Sequence, residues 1–320
     1  MIKQANELTF GDKKFSMILY GAPGVGKTTL ALSAPNPVLI DFDKGVSRVK
    51  AYHRRLTIVC DTYEEVLNDI QAPEIKDCET IIIDTGGSFV SYLQDYVMRE
   101  NPAVNKQKNG AISLKGFGAV KQEFQRFTNM VRDVMNKNVI YVFHSDEQKD
   151  KDGNPQQRLL CEGAARNIVW QPCDFGGYVQ MIGNTRVVTF TPTQEFFAKG
   201  CYGIEGQFNV PSIGPADKNE FLTNLFEKAR ANIEADNEAF APLKEQYDAT
   251  MIEVRKILDN IKTVDDANAA VASLPSLNHA LTSKKEASAL LSEKAKELGF
   301  AWDKTSKGYI VLAAESVGAN

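Results

Sequence analysis

The 320-residue sequence has few of the residues that build disulfide frameworks or metal clusters. It contains five cysteines, an odd number, with no CxxC pair, and its three histidines are widely separated. A small, scattered and odd set of cysteines is typical of reduced, unpaired thiols. The pattern therefore argues against a disulfide-stapled protein and against a structural zinc site.

Long apolar runs and a strong excess of charge of one sign are also missing. No stretch approaches the roughly 18 apolar residues of a membrane span, and the opening residues MIKQANELTF lack the apolar segment of a secretory signal. We therefore expect a soluble, cytoplasmic protein with no membrane partner. The net charge of −4 does not indicate a nucleic-acid-binding protein, but local basic patches matter more than the sum.

Short apolar runs alternate with helical segments through residues 1–213. Near-continuous apolar strands are typical of a parallel sheet buried on both faces, so we predict an α/β core made of βαβ units. The turn at Gly183-Asn184 predicts a hairpin, and 209–215 resembles a linker. Residues 214–320 predict a smaller, mainly helical domain of unknown role, with a small hairpin at 300–312. The predicted core strands lie at 16–20, 38–42, 56–59, 80–83 and 139–143.

A phosphate-binding loop follows the first predicted strand. Residues 21–28, GAPGVGKT, fit the pattern GxxxxGK[ST], and a helix-forming segment comes directly after them. In this pattern glycines let backbone N–H groups approach phosphates, while the lysine reaches the β- and γ-phosphates and the hydroxyl binds Mg²⁺. The sequence thus predicts a site for ATP and Mg²⁺. Its nucleotide-binding residues would be Gly21, Ala22, Pro23, Gly24, Val25, Gly26, Lys27, Thr28 and Thr29.

Acidic residues end or follow two other predicted strands of the same sheet. Asp84 ends the run TIIID and is predicted to hold Mg²⁺ with Thr28. Thr85 comes next, where many ATPases place a catalytic glutamate, so a general base must come from elsewhere. Asp43 is the first candidate and Asp41 the alternative, because the carboxyl ends of parallel strands meet at one edge.

At this level the sequence resembles RecA-like recombinases and, more closely, the short RecA-core ATPases that bacteriophages use in single-strand DNA recombination. The matching segments are GAPGVGKTT (21–29), LIDFDKG (39–45), TIIIDT (80–85) and VIYVFHSDE (139–147). The resemblance implies a RecA-like P-loop core in which Asp43 is the catalytic carboxylate and His144 couples nucleotide state to DNA. It also implies a homo-oligomeric ring or filament in which Lys199, or Arg186 as a fallback, reaches the neighbouring subunit's nucleotide in trans.

The same resemblance implies two DNA-binding loops. The first, 98–121, carries a local net charge of +4 in a core that is otherwise neutral, with Phe117 among its lysines. Lysines beside an aromatic ring are typical of single-strand binding. The second, 147–166, has no excess of positive charge, and its residues 151–155 predict a β-turn. The predicted DNA-binding residues are Lys106, Lys108, Lys115, Lys121 and Arg158.

These observations predict an ATPase stimulated by single-stranded DNA and acting in homologous recombination, annealing or repair. Its partners would include a single-strand-binding protein or another recombination protein. One alternative is a P-loop switch or loader that controls a protein partner with slow or no hydrolysis. A small-molecule kinase is a weaker alternative, because the sequence has no compact arginine-rich lid.

Overall fold

The computed structural model describes residues 12–149, 151–161 and 169–311, and packing contacts divide the chain into two compact units. The first unit ends at Asn232 and the second contains the residues from Ile233 onward. The division falls later than the boundary at 213 that the sequence predicts. The boundary lies later because the Phe226 ring stacks on Phe175 of the sheet, so the start of the helix Phe221–Asp259 belongs to the first unit.

A mixed, mostly parallel sheet forms the centre of the first unit. The strands are β1 Ser16–Gly21, β2 Pro37–Asp41, β3 Thr57–Ile58, β4 Thr80–Asp84, β5 Asn138–Lys149, β6 Pro155–Leu159, β7 Phe175–Ile182, β8 Thr185–Thr189 and β9 Gln207–Val210. They follow the order β3-β2-β4-β5-β1-β7-β8-β9, and β6 pairs with the outer part of β5. The five pairings among β1 to β5 and β7 are parallel, whereas β6, β8 and β9 are antiparallel additions.

Helices cover the sheet and complete its core. The third helix buries Phe89, Val90, Leu93 and Val97, whose spacing produces one apolar face. Phe89 is fully buried among aromatic rings of neighbouring elements, so this helix is held firmly against the sheet. The helices are α1 Lys27–Ala31, α2 Tyr63–Asp69, α3 Gly86–Glu100, α4 Pro102–Asn105, α5 Leu114–Asn129 with a π-helical turn at Met130–Val134, α6 Phe221–Asp259, α7 Val264–Ser273 and α8 Ser283–Glu297, with 3-10 turns at Val46–Arg48, Ala51–His53, Pro73–Ile75 and Leu274–Ser276.

The α/β core predicted from the sequence is confirmed, and the register explains why its polar residues meet. Gly21 of β1 lies beside His144 of β5, and Asp41 of β2 lies beside Asp84 of β4. Gly21, Asp41 and Asp84 are the last residues of their strands. His144 pairs with Gly21 at the point where β5 leaves the parallel sheet and continues in the pairing with β6. One edge of the sheet therefore brings together these four predicted site residues.

The second unit is mainly helical and has its own core. Val254 of α6, Ala287 and Leu291 of α8 and Tyr309 of the terminal hairpin pack together there. Thr263 begins α7 in a reciprocal capping arrangement with Asp266, which satisfies backbone N–H groups at the start of that helix. The predicted hairpin is confirmed as β10 Phe300–Asp303 and β11 Gly308–Val311.

Two local predictions are wrong in part. The predicted linker begins too early, because its residues 209 and 210 pair with β8 as the end of β9. The first predicted DNA segment, 98–121, is not one loop: most of it is helical, and Lys115 and Lys121 lie on α5. The sequence predicts helical character only for 88–99 and 117–136, whereas α3 ends at Glu100, α4 spans Pro102–Asn105 and α5 begins at Leu114.

The second predicted DNA segment begins with a confirmed hairpin, in which β5 and β6 flank the turn at 151–153. Position 150 and residues 162–166 of this segment lie outside the described residues, as do 167–168, the first eleven residues and the last nine. In the described part of the chain, none of the helices is both long and apolar enough to cross a membrane.

Candidate functional site

The loop between β1 and α1 needs glycine at two positions. Gly24 and Gly26 adopt φ angles of +80° and +87°, a region that side chains disfavour. Gly26 immediately precedes α1, so the loop turns sharply from the buried strand into the helix. The GxxxxGKT pattern is therefore folded as its glycine spacing requires.

Lys27 points back into this loop. Its Nζ donates to the backbone oxygens of Gly21 at 3.1 Å and Ala22 at 2.8 Å, and lies 3.4 Å from Nδ1 of His144. Burial lowers the pKa of Lys27 to about 8, while the charges of Asp84 and Asp43 oppose that shift. The ammonium group is thus partly desolvated and held beside the loop amides, which suits the recognition of a phosphate.

Thr28 and Asp84 meet at the base of the same loop. The Thr28 hydroxyl donates to Oδ2 of Asp84 at 2.5 Å. Burial raises the pKa of Asp84 to about 6, against the hydrogen bond from Thr28. A hydroxyl and a carboxylate side by side form a hard-oxygen donor set that fits Mg²⁺, and the cation would compensate the buried charge. The predicted metal residues are therefore adjacent and chemically suited.

Asp43 faces this pair from the loop after β2. Its Oδ1 accepts a hydrogen bond from the Ser88 hydroxyl at 2.6 Å. Its Oδ2 lies 3.7 Å from an Arg48 nitrogen and 3.9 Å from Nε2 of His144. The carboxylate is thereby held in place and keeps 28% of its side-chain surface exposed to the cavity.

Asp41, the alternative base, is engaged in the turn that carries Asp43. Its two carboxylate oxygens accept hydrogen bonds from the backbone nitrogens of Gly45 at 2.8 Å and Val46 at 2.9 Å. The residue is almost fully buried. Because both oxygens are occupied by backbone donors, Asp41 is suited to shaping the turn, and Asp43 is the better placed of the two candidates.

His144 links the two sides of the site. One ring nitrogen faces Lys27 and the other faces Asp43. Burial, reinforced by the positive charge of Lys27, lowers the pKa of His144 below 6.5. The imidazole is therefore neutral at pH 7 and can both donate and accept a hydrogen bond.

These groups surround one cavity of about 210 Å³ at the carboxyl edge of the sheet. Loop glycines, an ammonium group, hydroxyl groups, carboxylates and an imidazole line this cavity together, a set that suits a polyphosphate with a divalent cation. The lining includes Gly24, Gly26, Lys27, Thr28, Thr29, Asp43, Arg48, Asp84, Thr85 and His144.

Comparison with protein families matches residues 13–202, more than half of the chain, to AAA_24, described as an AAA domain. The chain belongs to the AAA_24 family. It is therefore an AAA-type P-loop protein, and this class supports the binding and hydrolysis of a nucleotide, generally ATP with Mg²⁺. No curated protein matches the chain.

The predicted trans-acting and DNA-binding residues of this AAA_24 chain lie outside the cavity. Lys199 donates a short hydrogen bond to the backbone oxygen of Cys173. The guanidinium of Arg158 lies 3.6 Å from the ring centroid of Phe197, in a separate cavity that Lys199 also lines. The roles of both residues stay predictions, and so do those of the exposed Lys106, Lys108, Lys115 and Lys121.

Sequence reasoning missed two residues of the AAA_24 site. Ser88 lies in the first turn of α3, where its hydroxyl donates to Asp43 and lies 3.0 Å from the Thr85 hydroxyl. Arg48 follows the turn after β2, and one of its guanidinium nitrogens lies 3.7 Å from Oδ2 of Asp43, the carboxylate oxygen that Ser88 does not contact. The only available signal was their nearness in sequence to Asp84 and Asp43, which does not reveal where a side chain points.

Proposed function

We propose that this chain is an ATPase that acts on single-stranded DNA in homologous recombination, annealing or repair. One observation carries the ATPase part: Lys27, Thr28, Asp84, Asp43 and His144 all line one cavity at the ends of adjacent parallel strands. The AAA_24 match supports the same reaction class.

Each residue of the cavity has a distinct task in this proposal. The loop amides and Lys27 bind the phosphates, and Thr28 and Asp84 hold Mg²⁺, whose charge offsets that of the phosphates. Asp43 orients and deprotonates the attacking water, because its carboxylate is the one that Ser88 aims into the cavity. His144 lies between Asp43 and Lys27 and responds to the terminal phosphate.

The DNA part of the proposal draws on the surface formed by α5 and the turn before it. Leu114, Phe117 and Lys121 are exposed and spaced three and four residues apart on α5, so they share one face. Lys106, Lys108 and Lys115 are exposed nearby in the chain. An exposed aromatic ring among lysines supports stacking on bases and contact with phosphates.

Helix α3 connects this surface to the nucleotide cavity. Its first turn carries Ser88, which holds Asp43, and its last residue, Glu100, precedes the basic segment. Fifteen helical residues span about 20 Å, a distance over which a rigid helix can couple two sites. In this proposal a shift at Asp43 is transmitted along α3, and the chain forms a homo-oligomer in which Lys199 acts in trans.

The decisive experiment measures the ATPase rate with and without single-stranded DNA at two salt concentrations. Lys106→Gln/Lys108→Gln/Lys115→Gln should abolish stimulation and reduce the slope of log affinity against log salt by about 2, since each single-strand phosphate contact contributes about 0.7. The matched control neutralises Lys284, Lys285 and Lys296, which are exposed on α8. Equal stimulation in both triple variants would refute the assigned surface.

A P-loop switch is the alternative, favoured by the presence of Thr85 where many ATPases have a glutamate. Single-turnover hydrolysis separates the two functions. An ATPase should lose rate in Asp43→Asn, whereas a switch would bind nucleotide, change affinity for its partner and hydrolyse no faster than Asp43→Asn. Loss of binding in Lys27→Ala checks that either activity comes from this loop.

A further inference from the structure

A second cavity, of about 350 Å³, adjoins the phosphate loop, and Asp43 is not among the residues that line it. It shares Gly24, Gly26, Thr29 and Arg48 with the cavity described above, and Arg186 also lines it. We call it the Arg186 cavity. Because the same loop residues line both cavities, a ligand bound by the loop can occupy both of them.

Arg186 lies directly against the loop of its own chain. It follows the tight turn at Gly183-Asn184 as the second residue of β8, and β8 pairs with β7 beside β1. A Cβ atom added to Gly26 would lie 2.6 Å from the guanidinium carbon, so only glycine permits this approach. The β7–β8 hairpin therefore places the planar guanidinium of Arg186 against the backbone of the phosphate loop.

The charge of Arg186 has no protein counterpart in the described part of the chain. Its Nε is buried without a hydrogen-bond partner, and no carboxylate of the described residues lies within ion-pair distance of the guanidinium. The other titratable groups that line the cavity are Arg48, Lys50 and His53, and none is acidic. The Arg186 side chain is only partly buried, but its buried Nε–H has no acceptor, and leaving such a donor unsatisfied is costly. The arrangement therefore indicates an anionic ligand.

We propose that Arg186 binds the α- and β-phosphates of the nucleotide held by the P-loop of its own chain. This inference rests on the nucleotide binding in the proposed function, and differs from the sequence-based expectation that Arg186 serves the neighbouring subunit. Arg186 borders the loop beside Gly24, Gly26 and Thr29, whereas Asp43 and His144 line only the other cavity. It therefore contacts the phosphates that ATP and ADP share.

The test compares Arg186→Gln and Arg186→Lys with the wild-type chain, using calorimetric titration of ATP and ADP in magnesium buffer. A hydrogen-bonded charge pair predicts a loss of affinity of roughly 10- to 100-fold in Arg186→Gln, equal for ATP and ADP. Arg186→Lys should retain part of the affinity, because it keeps the charge but not the fork geometry. Arg255→Gln, exposed on α6 in the second unit, is the charge-matched control.

Thermal unfolding without nucleotide provides an independent readout. Without nucleotide, removing this partly buried and unpaired cation should leave the melting temperature of Arg186→Gln equal to or above that of the wild type. Added ADP should raise the melting temperature of Arg186→Gln by less than it raises that of the wild type. Unchanged ADP affinity, or a loss confined to ATP, would overturn the inference. If the wild-type chain bound neither nucleotide, the proposed function itself would fail, which separates the two outcomes.

Discussion

Replacing Ser88 by alanine removes one hydroxyl that connects helix α3 to the proposed catalytic carboxylate. The Ser88 Oγ donates to Oδ1 of Asp43 at 2.6 Å and lies 3.0 Å from the Thr85 hydroxyl. The remaining close neighbours of the Asp43 carboxylate, Arg48 and His144, lie at 3.7 and 3.9 Å. Without Ser88, Asp43 loses its shortest contact and its defined orientation.

The size of the effect follows from the exposure of Asp43. A hydrogen bond to a charged group contributes about 1.5–3 kcal/mol when it is buried. Because 28% of the Asp43 side chain is exposed, solvent screening reduces the expected contribution to about 1 kcal/mol. That free energy corresponds to a roughly fivefold lower rate of hydrolysis. Direct loss of the base in Asp43→Asn should cost about 10²- to 10⁴-fold.

The assay is single-turnover hydrolysis at saturating ATP, with nucleotide affinity measured in parallel. Ser88→Ala should lower the rate with little effect on affinity, and Ser88→Thr should retain the rate because it keeps the hydroxyl. In the Asp43→Asn background, Ser88→Ala should add no further loss, since the two groups act as a unit. Full activity in Ser88→Ala, or an equal loss in both backgrounds, would refute the reasoning.

Three further changes test the packing and charge of the fold. Phe89→Ala should lower the free energy of unfolding in urea by about 3–5 kcal/mol, because its ring is fully buried, whereas Phe240→Ala, at a partly exposed site, should cost far less. Asp41→Asn should destabilise the chain by about 1 kcal/mol, since one partly buried backbone N–H would face an amide donor. Burial lowers the pKa of His144 below 6.5 even though Asp43 favours its protonation, so the unfolded state binds protons first on acidification. Unfolding measured at pH 5.5 and 7.5 should show an acid-side loss of stability that is smaller in His144→Gln.

Much of the nucleotide site could be predicted because its signals are local. The pattern GxxxxGKT combines the turn, the lysine and the hydroxyl within eight residues, and apolar runs that end in Asp84 or His144 identify strands. Parallel strands point their carboxyl ends to the same edge, so residues distant in sequence could be assigned to one site without their contacts. The family match over residues 13–202 agrees with the P-loop class inferred from these patterns.

The interpretation of residues 98–121 shows where local reasoning fails. Their composition suggested a basic loop, but Ser113 caps α5 by accepting a hydrogen bond from the backbone nitrogen of Gly116, and Asn105 donates to the backbone oxygen of Val97. These contacts and the packing of the flanking helices outweigh the weak helical propensity of the glycines. Residue type alone could not reveal that balance.

Apolar periodicity and glycine spacing thus determined the α/β core and the phosphate loop, because both depend on interactions between residues close in sequence. Tertiary structure decided which side chains complete the site. Ser88 reaches Asp43 only because α3 packs against the sheet, and Arg186 reaches Gly26 only because β8 folds back on β7 beside β1. Both contacts join residues far apart in sequence and depend on strand register and helix packing. Register and packing are determined by the burial of the whole core rather than by any local pattern.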